Sequence, residues 1–94
     1  MNEKALVRVQ SDPVWDLSVS AVGRGLSLFV ISGPGEAFDF LSHEWPARRG
    51  QIFADAHRAN RDAAHGTVPP EAARAAFIYA CEDAGCLVRR PASR

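Results

Sequence analysis

The chain has 94 residues, 11 Lys+Arg against 11 Asp+Glu, 47% hydrophobic and 23% charged residues, the profile of one ordinary globular domain. Formal neutrality argues against nucleic acid, because a chain that neutralises many phosphates carries a basic excess. The longest apolar run, Leu26 to Ile31, is interrupted by Ser27 and is far shorter than a membrane span, and Met1-Asn2-Glu3-Lys4 lacks the pattern of a signal peptide, so a cytoplasmic protein is expected.

In chain order, residues 1–13 form an N-terminal segment in which Ala5 to Val9 are a candidate for a short extra strand, ended by Ser11-Asp12-Pro13. Residues 14–90 are expected to be a single domain, and 91–94 a polar tail. Trp15, Leu17, Val19 and Ala21 alternate with Asp16, Ser18 and Ser20, the period-two pattern of a half-buried strand. Gly23-Arg24-Gly25 supplies a turn rich in the residue that tolerates φ > 0. A second strand then runs from Leu26 to Ser32. We assign Leu26, Leu28 and Val30 to the face that meets the helices, and Phe29 and Ile31 to the outer face. Phe29 and Ile31 are therefore the candidate interface for a second copy or a protein partner.

Three helices follow, expected at 34–45, 50–65 and 70–84. Gly33 as N-cap, Pro34 at the first helical position and Glu36 in the first turn start the first helix. Pro46 disfavours α geometry at Trp45 and ends it. Ile52, Phe53, Ala56, Ala59 and Ala63 mark the apolar stripe of the second helix, with Asn60 on the same stripe and Gly66 as its stop. Val68-Pro69-Pro70-Glu71 launches the third helix, and Gly85 ends it. Leu87 to Arg90 is a last short strand. The fold expected is α+β with order β-β-α-α-α-β, a three-stranded antiparallel sheet carrying three helices on one face. Phe38, Phe53 and Phe77 would fill the space between those helices.

Few side chains suggest chemistry. Ser32-Gly33-Pro34-Gly35-Glu36 superficially resembles a phosphate cradle. Pro34 removes an N–H donor, however, and Glu36 puts negative charge where the phosphate would sit. Asp39 and His43 are four apart on one helix face, and His57 and His65 lie on the polar border of the next helix. The reading is a surface His–Asp contact, with no metal, cofactor or nucleophile attached. Cys81 and Cys86 lack metal-ligand spacing and read as reduced, packed thiols. Arg48 and Arg49 precede the second helix, and Arg58 and Arg61 extend along it. With Trp45 they could form a small-anion or nucleic-acid-backbone site at a helix N-terminus. The preferred reading is structural, with Trp45 at the core edge and Arg49 paired with Glu44 or packed on Trp45.

His43-Glu44-Trp45-Pro46 with Arg49-Gly50, then Phe53, Ala56, Ala63 and Gly66, then Glu71-Ala72-Ala73-Arg74-Ala75-Ala76-Phe77-Ile78 and Ala84-Gly85 carry a resemblance. The chain resembles a bacterial family of small proteins, frequent in soil-dwelling alpha-proteobacteria and catalogued as domain of unknown function nine-eight-two. That resemblance implies a compact cytoplasmic domain and supplies no reaction, cofactor or substrate. The function expected is a non-catalytic interaction or regulatory domain that self-associates as a homodimer or binds a protein. The alternative is an anion or nucleic-acid binder at the Trp45, Arg48 and Arg49 corner.

Overall fold

The structure is a computed structural model that describes residues 13–88. The candidate strand at Ala5 to Val9, the end of the expected strand at 89–90 and the tail 91–94 lie outside the described residues.

Strands β1 (Val19–Val22) and β2 (Leu28–Ile31) form an antiparallel hairpin that pairs Val19 with Ile31, Ser20 with Val30, Ala21 with Phe29 and Val22 with Leu28. The connection is a short 3₁₀ turn, Arg24–Leu26, closed by the Gly23 amide donating to the Ser27 carbonyl at 2.8 Å. Gly25 (φ 71°) and Leu26 (φ 65°) both occupy the left-handed region. A leucine rarely adopts that conformation. Leu26 consequently leaves the strand and is 87% exposed.

Helix α1 (Pro34–His43), α2 (Gln51–Ala64) and α3 (Pro70–Ala84) follow. Proline stands in the first turn of α1 and of α3, where its missing N–H costs nothing. Helix α1 stops at His43, two residues short of Trp45, because Pro46 drives its predecessor out of the α region. Helix α2 packs against both α1 and α3. Its buried stripe is Ala56, Asn60 and Ala63, and the two alanines let neighbouring helices come close.

The sheet departs from expectation in three ways. Among the described residues it has two strands, and a third is not seen. Among the described residues the C-terminal segment contributes one isolated antiparallel bridge, Leu87 to Ala21, made by Val22 N–H to the Cys86 carbonyl and Val88 N–H to the Ser20 carbonyl, each 2.9 Å. The first strand is also shorter than its alternation suggests. The chain bends at Asp16 and Leu17, so Leu17 is exposed. Trp15 leaves the ladder and anchors separately, its amide donating to Ser32 O at 2.8 Å and its indole to Pro70 O at 2.9 Å.

The third departure reverses the faces of β2. Ile31 is buried and Phe29 packs against the core, whereas Leu28 and Val30 are 62% and 59% exposed. The cause is pairing parity. Residues directly opposite in an antiparallel ladder share a face, and the inward Val19 and Ala21 oppose Ile31 and Phe29. Phe29 and Ile31 therefore belong to the core, and the outer face is Leu28 and Val30.

The core is aromatic at its centre. Phe40 of α1 meets Phe29 edge-on at 5.3 Å, Phe77 at 5.8 Å and Trp45 at 6.1 Å between ring centroids. Phe77 in turn lies 6.0 Å from Trp15. Phe38, expected in this role, sits on the flank of α1 against His57 at 4.5 Å.

Asn60 is the buried polar residue of this core. Its amide nitrogen donates to Ala56 O at 2.9 Å and to Ala73 O at 3.2 Å, tying α2 to α3. Its side-chain oxygen has no partner among the described residues. With two carbonyls facing its nitrogen, a flipped amide would set oxygen against oxygen, so the orientation is determined. Asn60→Asp would place a carboxylate against those same carbonyls. An uncompensated buried charge costs about 3–5 kcal/mol. The variant should lose most of its unfolding midpoint at neutral pH and regain part of it in acid, as urea titrations at the two pH values would show.

Candidate functional site

The Trp45 corner is built by the break between α1 and α2. Pro46 turns the chain, Gly50 caps α2 without a side-chain hydrogen bond, and the first turn of α2 lines a cleft of about 440 Å³. Trp45, Arg48, Gln51, Phe53 and Asp83 are among its lining residues. Trp45 is only 5% exposed and its indole N–H donates to Arg48 O at 3.2 Å. A ring so enclosed fills the core edge and offers no open face on which a base could stack.

The four arginines do not converge. Arg49 turns away from Trp45 and Glu44, donating from Nη2 to Ser42 O at 3.0 Å with its guanidinium 5.2 Å from the centre of the Phe53 ring. Arg58 pairs with Asp55 at 3.0 Å and Arg61 with Asp62 at 3.1 Å. Arg48 alone of the four lines the cleft, and Asp83 lines it too. Arg74 of α3 donates from Nε to Leu17 O at 2.9 Å and fastens the bend before β1.

The structure brings together one pair that the sequence does not announce. Ser42 Oγ and His57 Nε2 are 2.9 Å apart in a hydrogen bond between α1 and α2. The imidazole is also stacked at 5.5 Å on Phe53. Burial, with Arg61 and Arg49 nearby, pushes the His57 pKa below its ordinary value. A serine–histidine pair that works as nucleophile and base needs its imidazolium stabilised, normally by a carboxylate. Here two arginines destabilise that cation, and among the described residues no carboxylate is hydrogen-bonded to His57. The pair joins two helices. His43 makes no hydrogen bond to Asp39 among the described residues, and no group of three or more His, Cys, Asp or Glu side chains there could hold a metal.

The hairpin presents a different kind of site. Ser20 and Val22 direct their backbone groups toward the Cys86–Val88 segment. Successive residues of a strand point those groups to opposite sides, so Val19 and Ala21 bond to Ile31 and Phe29. By the same alternation the N–H and C=O groups of Leu28 and Val30 point away from β1, along an edge that no strand among the described residues pairs. Their side chains project from the outer face beside the partly exposed Val88. Edge and apolar face thus coincide on two residues.

This architecture, a two-stranded hairpin packed on three helices around an aromatic cluster, defines a small α+β domain. The chain matches the model of the family described as "Protein of unknown function (DUF982)" over residues 20–88, and it belongs to that family. It is also similar to the NMR structure of Agrobacterium tumefaciens protein Atu1219, with 36% sequence identity and a TM-score of 0.73, covering 90% of this chain and 85% of that one. No match is found among curated proteins. Among the described residues no helix is long and apolar enough to cross a membrane.

Two measurements probe this region. Trp45→Ala removes a large buried side chain, a change that costs about 3–5 kcal/mol, and should lower the denaturant midpoint sharply. His57 titrates lower in the folded than in the unfolded chain, so the unfolded chain binds more protons near pH 6. Its contribution is fully present above about pH 6.5 and is lost as the pH falls through the folded value. Thermal midpoints should fall on acidification through that range, and His57→Gln should flatten the slope.

Proposed function

We propose that this is a non-catalytic interaction domain that docks through the outer face and open edge of its hairpin, and that a second copy of the chain is one occupant. The observation that carries this reading is the coincidence at Leu28 and Val30. Each has an apolar side chain more than half exposed and a backbone directed to an edge left unpaired among the described residues. Soluble domains guard such strands with charge, proline or a covering segment, and neither residue carries a charge.

The geometry also favours the outer face over the Trp45 corner. At that corner the tryptophan is enclosed and three of the four arginines are engaged elsewhere. Formal neutrality removes long-range repulsion between copies. The Ser42–His57 pair, opposed by Arg49 and Arg61, supports a structural role for the one contact that resembles catalytic chemistry.

Sedimentation equilibrium over a wide concentration range tests the proposal. The wild-type mass should rise with concentration, and Leu28→Lys or Val30→Lys should hold the protein at the monomer. Both residues are exposed, so each change should alter stability by no more than about 0.5 kcal/mol. A wild-type chain that stays monomeric throughout, or lysine variants that associate unchanged, would reject self-association through this surface.

A further inference from the structure

The end of α3 places two thiols together through a backbone device. Gly85 closes the helix in the left-handed region at φ 74°. The Cys86 amide donates to Cys81 O at 2.9 Å, and the Gly85 amide donates to Glu82 O at 3.1 Å. These two bonds constitute a Schellman cap, a motif that normally sets two hydrophobic side chains against each other across the helix end. Here both of those positions are cysteines. Each is buried, with Cys86 retaining 6% exposure, and the two thiols lie close enough to shift one another's protonation.

We propose that Cys81 and Cys86 are an oxidation site for hydroperoxides, with Cys86 as the attacking sulfur and Cys81 as the resolving one. Exposure sets the roles, since Cys86 retains some surface and Cys81 has none. Interaction with Cys81 also holds the Cys86 thiol below the ordinary cysteine range, which raises its thiolate fraction. Interaction with Cys86, together with burial, pushes the Cys81 thiol up, so Cys81 keeps its proton until its partner has reacted. The Cys86 thiolate attacks one peroxide oxygen, the O–O bond breaks, and Cys86 becomes a sulfenic acid as hydroxide leaves. Cys81 then attacks the Cys86 sulfur, expelling its hydroxyl group as the S–S bond forms. The two thiol protons end on two waters, so one hydrogen peroxide is reduced for each dithiol oxidised.

The cap makes the second step fast relative to overoxidation. A disulfide requires an S–S separation of about 2.05 Å and closely spaced Cβ atoms. The cap already holds the two residues across the helix end, with the Cys86 amide bonded to the Cys81 carbonyl, which shortens the path to that geometry. The new bond would also fix the residue whose carbonyl receives the Val22 amide, and so the start of the bridge between Leu87 and Ala21.

The test treats the folded full chain with a small excess of hydrogen peroxide, quenches, unfolds in the presence of an alkylating agent and reads intact mass. The expected product is a monomer lighter by two hydrogen atoms and alkylated at neither cysteine. The same treatment in concentrated denaturant should form it at least about tenfold more slowly, because the cap that joins the thiols is gone. Cys81→Ser should stop at a sulfenic acid on Cys86 that a dimedone probe captures. Two alkylated cysteines after treatment, sulfinic or sulfonic products in the wild type, disulfide-linked dimers, or an equal rate in denaturant would each overturn the proposal.

Discussion

The ring of Phe40 is the contact on which the other packing decisions depend. It lies on α1, yet it meets an aromatic ring from β2, one from α3 and one from the loop that leads to α2. Edge-to-face packing of this kind is directional, so fixing Phe40 fixes the angle at which each element approaches. Phe29 must then face inward, and Leu28 and Val30 must face out. Trp45 is closed over from the other side, which gives the corner before α2 its enclosed form. The exposed strip and the buried tryptophan are thus two results of one cluster.

The helical half of the fold is legible because its punctuation is local. Pro34, Pro46, Gly66, Pro70 and Gly85 act through their own φ values and missing donors, and each helix ends within two residues of where these signals place it. Trp45 is legible for a similar reason, since it follows Ala37 and Leu41 along one stripe. Phe40 is less visible, because Phe38 and Phe40 flank the same stripe and only tertiary contact decides between them.

The hairpin is harder to read because every residue from Leu28 to Ile31 is apolar, so alternation within β2 carries no information. The deciding clue lies in the loop. Any closure that joins odd positions to odd positions puts Phe29 and Ile31 on the side of Val19 and Ala21. A three-residue turn at Gly23-Arg24-Gly25 and the observed closure at Gly23 and Ser27 both do so. Leu26 misleads, because it looks like the first residue of a strand and is a turn residue. The Ser42–His57 contact and the Arg74 anchor on Leu17 join distant parts of the chain, and no local pattern encodes them. The cysteine pair lies between these extremes. Its spacing about Gly85 is visible, but its meaning depends on the helix ending in a left-handed cap.

The bridge between Leu87 and Ala21 has a consequence for the order in which the molecule assembles. The hairpin and the α2–α3 pair are built from neighbouring stretches of sequence and close short loops, which form quickly. The bridge joins the beginning of the described chain to its end, so it closes after almost everything else is in place. On a ribosome, β1 would emerge with one edge paired to β2 and the other waiting until the C-terminal residues have been made. During that interval Ser20 and Val22 present unpaired backbone, as Leu28 and Val30 do among the described residues. The nascent domain therefore exposes an edge that the mature one has paired, which makes synthesis the period when strand exchange between neighbouring chains is easiest.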